Sequence, residues 1–311
     1  MSDRAPASQT FEIGLVMAGA ASAGAYTAGV VDFLLEALGT WEEAKATGDP
    51  SVPHHDVVIR VAAGASAGGI TAALLGMLPF TGHLPMRDLA RITEAADAEN
   101  ARRNLLYQCW VTRTDLRRML SIEDLDETGP RVPSLLNGTV LTGIADDAIA
   151  AVRAGLASLP PAPGYLANPL HLFLSLTNMQ GIPYVVQMIA DEAMRGYCVQ
   201  SHSDYAQFAV LGAGAASPGP VPAGAIPVNG PALPDGLAGS FGDGWQALRD
   251  AALATSAFPG GFPTRGFRNP ASAYRQRPWI DPTATAASPT VCLDLPVTAD
   301  KASISGASMA A

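Results

Sequence analysis

The chain has 311 residues, 48% of them hydrophobic and only 15% charged, which suits a globular protein with a large buried core and excludes a disordered one. Its net charge is −9, from 19 basic and 28 acidic residues. No Lys/Arg cluster stands out, so nucleic acid is not expected as a partner, and any lipid contact is expected to be apolar rather than electrostatic.

The opening MSDRAPASQT is polar and reads as a disordered N-terminus over 1–10, without the basic and apolar blocks of a secretory signal. No stretch of about 18 uninterrupted apolar residues is present, so no membrane-crossing helix is expected. Cys109, Cys198 and Cys292 are widely spaced and show no metal-type pairing. They read as isolated thiols in a reducing compartment, with the cytoplasm as the expected location.

Residues 11–17 (FEIGLVM) read as a short apolar strand followed by a small-residue turn, AGAASAGAYTAG. From Gly24 onward Tyr26, Val30, Phe33, Leu34 and Leu38 fall at helical spacing. A charged connection runs from Trp41 to His55, and Val57–Ala63 forms a second, near-continuously apolar strand. It enters GASAGG and a second helix, Ile70–Leu78. Two copies of strand, small turn and helix predict an α/β fold with a mostly parallel sheet. Residues 85–125 read as mostly helical, with the aromatic pair Tyr107 and Trp110, and 143–157 as an Ala-rich helix. Leu170–Thr177 reads as a strand, Asn178–Pro183 as a turn, and Tyr184–Ile189 as a further strand. The stretch 212–244 is dense in Gly and Pro and reads as a long loop. A helix over Trp245–Ala257 stops at Phe258-Pro259-Gly260-Gly261, and Thr290–Leu295 is strand-like.

Gly64-Ala65-Ser66-Ala67-Gly68 matches G-x-S-x-G, the nucleophile elbow. Such a serine must rise above the sheet on a strained turn, and small residues two positions away keep strand and helix from colliding. The following helix aims its positive end at the reacting centre. A plain Gly-rich turn between strand and helix is the competing reading. Gly19-Ala20-Ala21-Ser22-Ala23-Gly24 has the outline of an anion-cradling loop. A dinucleotide site would need an acidic residue ending a second strand about 20 residues on, whereas Trp41, Glu42, Glu43 and Lys45 look helical and solvated. An oxyanion hole needs only free backbone N–H groups, and tight packing on small residues needs no ligand. Among the histidines, His54-His55-Asp56 is a weak metal candidate, since adjacent strand residues point to opposite faces. His171 and His202 are the only ones placed to complete a Ser-acid-His order.

Together these motifs resemble the patatin-like phospholipase family: an apolar strand, a G-G-G-x-[RK]-G oxyanion turn, and a G-x-S-x-G elbow some 40 residues later. Leu15–Met17 with Gly19–Gly24 is similar to the first part and Gly64–Gly68 to the second. LSLTNMQGI (174–182) is similar to the family's central strand, and AALATSAFPGGFP (251–263) to the helix and Phe-Pro turn before its aspartate. The resemblance implies a patatin-like three-layer sandwich over 11–296, with 297–311 a disordered or truncated tail. It implies a hydrolase of lipid carboxylic esters using a Ser–Asp dyad without histidine or cofactor. Ser66 would be the nucleophile, Gly64 and Gly68 its elbow, and Gly19, Ala20 and Ala21 the oxyanion donors. A lipid or phospholipid is the implied substrate, and peripheral contact with a membrane is compatible with it.

Two departures stand out. Ala23 replaces the basic residue of the oxyanion turn, and Ala20 and Ala21 replace two of its glycines. No D-G-G or D-G-A follows the Phe-Pro turn, so Asp294, within VCLDLP at the end of the strand-like segment, is taken as the base, with Asp281 as competitor. Asp235-Gly236 and Asp243-Gly244 precede the turn and read as loop turns. A catalytically inactive scaffold that binds lipid or protein is therefore the alternative.

Overall fold

The computed structural model describes residues 9–20, 24–86, 101–128, 132–158, 161–188, 195–233, 237–275 and 303–305. Strands β1 (Thr10–Met17) and β2 (Asp56–Gly64) run parallel, from the pair Thr10 and Asp56 to the pair Met17 and Gly64. Helix α1 (Gly24–Ala46) crosses between them and continues well past Trp41, where a connection was expected. Its end is tied back to β2: the Trp41 indole N–H donates to the Pro53 carbonyl at 3.0 Å, and Lys45 pairs with Asp56 at 2.7 Å.

The buried side of α1 agrees with the expected spacing only at Leu34 and Leu38. Ala28, Val31, Leu35 and Leu38 face the core, whereas Tyr26 is 77% exposed and Phe33 71%. The helix is apolar on more than one side, so periodicity fits two faces, and the small Ala28 lets the chosen face approach closely.

After β2 the chain turns through Ala65 and Ser66 into α2 (Ala67–Met77), whose residues are buried almost throughout. A 3₁₀ turn, Leu78–Phe80, follows. As expected, the described part of 85–125 is mostly helical, in short pieces that follow a helical segment at 101–103. These are α3 (Leu105–Tyr107), a π-helical turn (Gln108–Arg113), α4 (Leu116–Met119) and α5 (Glu123–Thr128). Asn104 and Asp115 cap α3 and α4 with their side chains, which explains why the helix restarts there. Helix α6 (Thr139–Gly155) then buries Val140, Ile144, Ala148, Ile149 and Val152, a row at helical spacing.

Strand β3 (Leu166–Met188) is parallel to β2 and antiparallel to β4 (Arg195–Val210). The turn expected at Asn178–Pro183 is instead an irregularity inside one strand, between Thr177 and Ile182. Pairing with β4, a strand the sequence reading did not find, holds both halves in one ladder. The expected loop 212–244 also carries structure: β5 (Ile226–Val228), parallel to β4, and α7 (Ala238–Phe241). All three residues of β5 are buried, so this Gly/Pro-rich stretch supplies core. Helix α8 (Gly244–Thr255), β6 (Arg265–Gly266), α9 (Ala271–Arg275) and β7 (Ser303–Ser305) complete the described elements.

The main path of the sheet is β1-β2-β3-β4-β5, and only β3 with β4 is antiparallel along it. The protein is thus an α/β fold with a mixed, mostly parallel central sheet flanked by helices. Leu170, Leu172, Leu174 and Leu176 of β3 are buried with Ala206, Phe208 and Val210 of β4. Helix α2 lies on this face: a Cβ on Gly76 would meet the Leu172 side chain at 2.8 Å and Val210 at 3.3 Å. The alternate residues His171, Phe173, Ser175 and Thr177 are only half-buried. No described helix is long and apolar enough to cross a membrane.

Candidate active site

Ser66 sits in the bend between β2 and α2 with φ 51° and ψ −121°, outside the regular helix. Among the described non-glycine residues only Asn229 shares a positive φ. Such a backbone costs roughly 1–3 kcal/mol and persists only where its surroundings impose it. Here they do. A Cβ on Gly64 would lie 2.3 Å from the Gly68 carbonyl carbon, and one on Gly68 would lie 2.1 Å from the Met17 carbonyl oxygen. Glycine at both positions is what allows β1, the bend and α2 to touch. The Ala65 N–H donates to the Met17 carbonyl at 3.3 Å, and the Ile70 N–H to the Ser66 carbonyl at 2.9 Å. The Ser66 hydroxyl makes no capping bond to α2, so the helix does not consume it.

A further support comes from the far end of the chain. The Ser66 N–H donates to the Thr255 Oγ1 at 3.0 Å, and the Thr255 hydroxyl donates to the Ser175 carbonyl at 2.7 Å. This fully buried threonine, the last residue of α8, stitches the bend to β3. Sequence reasoning did not single it out. The available signal was one hydroxyl within AALATSAFP, in a helix otherwise built from small apolar residues.

The small-residue turn after β1 lies against the bend: a Cβ on Gly19 would stand 3.1 Å from the Ser66 Cβ and 3.2 Å from the Ala65 carbonyl oxygen. Ala20 is half-buried beside it. Ala21 and Ala23 lie outside the described residues. The turn ends at Gly24, where a Cβ would fall 2.3 Å from the Trp110 ring, so the indole fixes the start of α1.

Both aspartates weighed as the base, Asp294 and Asp281, lie outside the described residues, as does Asp235. Asp243 is a structural residue: it caps α8 by accepting from the Gln246 N–H at 2.8 Å and pairs with Arg153 at 3.1 Å. Another carboxylate is buried in the core face of β4. Asp204 accepts from the Tyr205 N–H at 2.7 Å and from the Tyr274 hydroxyl at 3.1 Å, and it pairs across the ladder with Leu176. This holds the 267–275 segment against the sheet.

His202 has Nδ1 2.7 Å from the Asn178 carbonyl. His171 lies between Val61 and Ala209 in the sheet, where burial and then the nearby Arg60 charge depress its pKa. His55 meets Trp41 edge-on, and Asp56 is taken by Lys45, so His54-His55-Asp56 forms no ligand set. Among the described residues no group of His, Cys, Asp and Glu could hold a metal ion.

Two cavities lie along α2. One, of about 320 Å³, is bounded by α2, residues 102–113 and α6; the other, of about 30 Å³, lies between α2, α6 and α8. Neither has Ser66 in its wall, but Ile70, one turn on from it, lines the smaller.

The chain is 38% identical over 278 residues to the uncharacterized protein y4iI of Sinorhizobium fredii (strain NBRC 101917 / NGR234). The alignment takes in 85% of this chain but only 38% of that protein, so the chain spans well under half of its relative's length. No family model matches the chain. No solved structure matches it either.

Proposed function

We propose that the chain is a patatin-like serine acyl-hydrolase of three-layer architecture, acting on carboxylic esters of lipids. The observation that carries this reading is the backbone of Ser66. A residue with a side chain is held at φ 51° by two glycines whose Cβ positions are already occupied. Strain of that kind gathers at functional sites, and here it leaves the hydroxyl free of the helix it precedes.

In the proposed reaction the Ser66 Oγ attacks the ester carbonyl carbon and its proton passes to an aspartate, Asp294 or Asp281. The carbonyl oxygen becomes an oxyanion that backbone N–H groups of Gly19, Ala20 and Ala21 would hold, aided by the N-terminal end of α2. Collapse, with the aspartate's proton passing to the departing alkoxide, expels the alcohol and leaves an acyl-serine. The aspartate, again a carboxylate, deprotonates a water that attacks the acyl carbon, then returns that proton to the serine oxygen as the acid departs. Ala23 brings no charge to the oxyanion, so its stabilisation rests on dipoles alone.

A fluorophosphonate probe and a short-chain nitrophenyl ester test the reading. Wild-type protein should label and turn over, and Ser66→Ala should do neither. Labelling or turnover that survives in Ser66→Ala removes the assignment.

A further inference from the structure

Ser66 stands at the head of α2, and the stripe of that helix below it borders empty space. Ile70, Ala73, Leu74 and Met77 follow Ser66 at helical spacing, on one side of α2, and all four line the smaller cavity. Helix α8 points to the same place. Its Ala252 lines this cavity one turn before Thr255, whose Oγ1 accepts the Ser66 N–H at 3.0 Å. Two separate elements thus begin the cavity one helical turn, about 5 Å along the axis, from the groups at the bend.

The space is left by small residues where three helices meet. Ala73 of α2, Ala148 of α6 and Ala252 of α8 are buried and Ala145 of α6 is half-buried, and a larger side chain at any of them would reduce it. Among the described residues that line it, Arg249 is the one charged group, and Asp146 and Asp250 take its guanidinium, each at 2.6 Å. Cys109 adds to the apolar wall, because burial pushes its thiol up to about 12 and keeps it protonated. Away from the serine this cavity shares Leu74, Cys109, Ile144 and Ala148 with the larger one, of about 320 Å³. The outer rim of that chamber carries Arg113, paired with the exposed Asp147 at 2.6 Å. A narrow apolar neck therefore lies beside the serine, a wider chamber beyond it, and an ion pair at the far edge.

We propose that neck and chamber bind an aliphatic chain of medium length, which in the proposed hydrolysis is the acyl chain of the ester. That identity of the chain rests on the hydrolase reading. Along α2 the apolar wall from Ile70 to Met77 runs about 10 Å, at about 1.5 Å per residue. This is the reach of roughly eight carbons joined by bonds of about 1.5 Å. Each methylene buried in this lining stabilises the bound ester until the chain meets the charged rim. There, hydrocarbon would displace water from the Arg113–Asp147 pair, which opposes longer chains.

Nitrophenyl esters with straight acyl chains, from acetate to hexadecanoate, test it, together with titration calorimetry of octanol and butanol into the full chain carrying Ser66→Ala. For the wild type kcat/KM should rise about tenfold or more from acetate to octanoate and fall again for the longest chains. Ala145→Phe, on a half-buried wall of the neck, should lower the octanoate-to-acetate ratio about tenfold. Leu105→Ala, on a half-buried wall of the chamber, should instead move the optimum towards longer chains. Opposite shifts from filling and emptying are not what a merely structural disturbance produces, and the melting temperature is checked for each variant. Octanol should bind Ser66→Ala about tenfold more tightly than butanol, and adding Ala145→Phe should remove that difference. A flat chain-length profile, an optimum that neither variant moves, or octanol that binds no better than butanol overturns the proposal. Turnover of acetate with a flat profile leaves the hydrolase reading standing. Octanol binding without turnover of any ester ends that reading and keeps the aliphatic site.

Discussion

At the bend around Ser66, two glycines of one short motif and a threonine from far along the chain hold one unusual backbone. Gly68 makes room for Met17, Gly64 makes room for Gly68, and Thr255 takes the Ser66 N–H. The glycines are legible in the sequence because the motif spells them out. Thr255 is not, since its role depends on where α8 ends relative to β3. Thr255→Val keeps the shape but strands the Ser66 N–H and the Ser175 carbonyl, so it should cost about 1–3 kcal/mol in urea unfolding. Thr255→Ser should restore most of that. If the proposed hydrolysis holds, Thr255→Val should also lower kcat more than it raises KM, because it displaces the nucleophile and not the substrate.

At the scale of an element, α1 separates pattern from placement. The helical spacing took in Tyr26, Val30, Phe33, Leu34 and Leu38; Leu38 is buried and Leu34 packs against the core, but Tyr26, Val30 and Phe33 are exposed while Val31 and Leu35 face the core. Leu35→Ala should therefore cost about 2–5 kcal/mol by leaving a cavity. Phe33→Ser should stay within about 0.5 kcal/mol. Equal losses in chemical denaturation would reverse this assignment of faces.

The same helix carries a buried carboxylate, Asp32. It meets His83 Nε2 at 2.9 Å, the Met86 N–H at 2.8 Å and the Asn104 amide at 2.8 Å. Burial alone would raise its pKa above the ordinary 3.8, but the hydrogen bonds from His83, Met86 and Asn104 outweigh burial and hold it lower. A lowered folded value means the unfolded chain takes up the proton first as pH falls. The contribution of Asp32 to stability is thus complete above its ordinary value and is lost as pH drops through the lowered one. Unfolding midpoints from about pH 5 to 3 should fall less steeply for Asp32→Asn than for the wild type, from a lower starting point. An unchanged slope would show that this carboxylate is not linked to folding.

Across the whole molecule, the sheet divides into a lower part with neighbours on several sides and an upper β3–β4 hairpin. Leu170–Thr177 pairs with β4 throughout, and its central part also pairs with β2. Beyond the irregularity, Ile182–Met188 pairs with Arg195–Ser201. Hydrogen exchange should accordingly be slowest for amides of Leu170–Leu176 and Ala206–Val210, and markedly faster in 182–188 and 195–201. Uniform protection along β3 would mean that the upper hairpin is packed against something further. The turn expected at 178–183 belongs to this same division. Gly181, with φ 75°, and Pro183 look like turn residues locally, but pairing with β4 carries the strand through them.

The sequence by itself determined whatever depends on contacts between near neighbours: the two strand-turn-helix units, the small residues around Ser66, and the helix that ends before Phe258. Their spacing is dictated by sterics within a few residues, which a linear reading can see. Only the tertiary structure decided which side of α1 is buried, that β4 exists, that Ile226–Val228 in a Gly/Pro-rich stretch supplies core, and that Thr255 reaches Ser66. Each of these is settled by pairing and packing between separate elements, through burial and hydrogen bonds that no local pattern encodes.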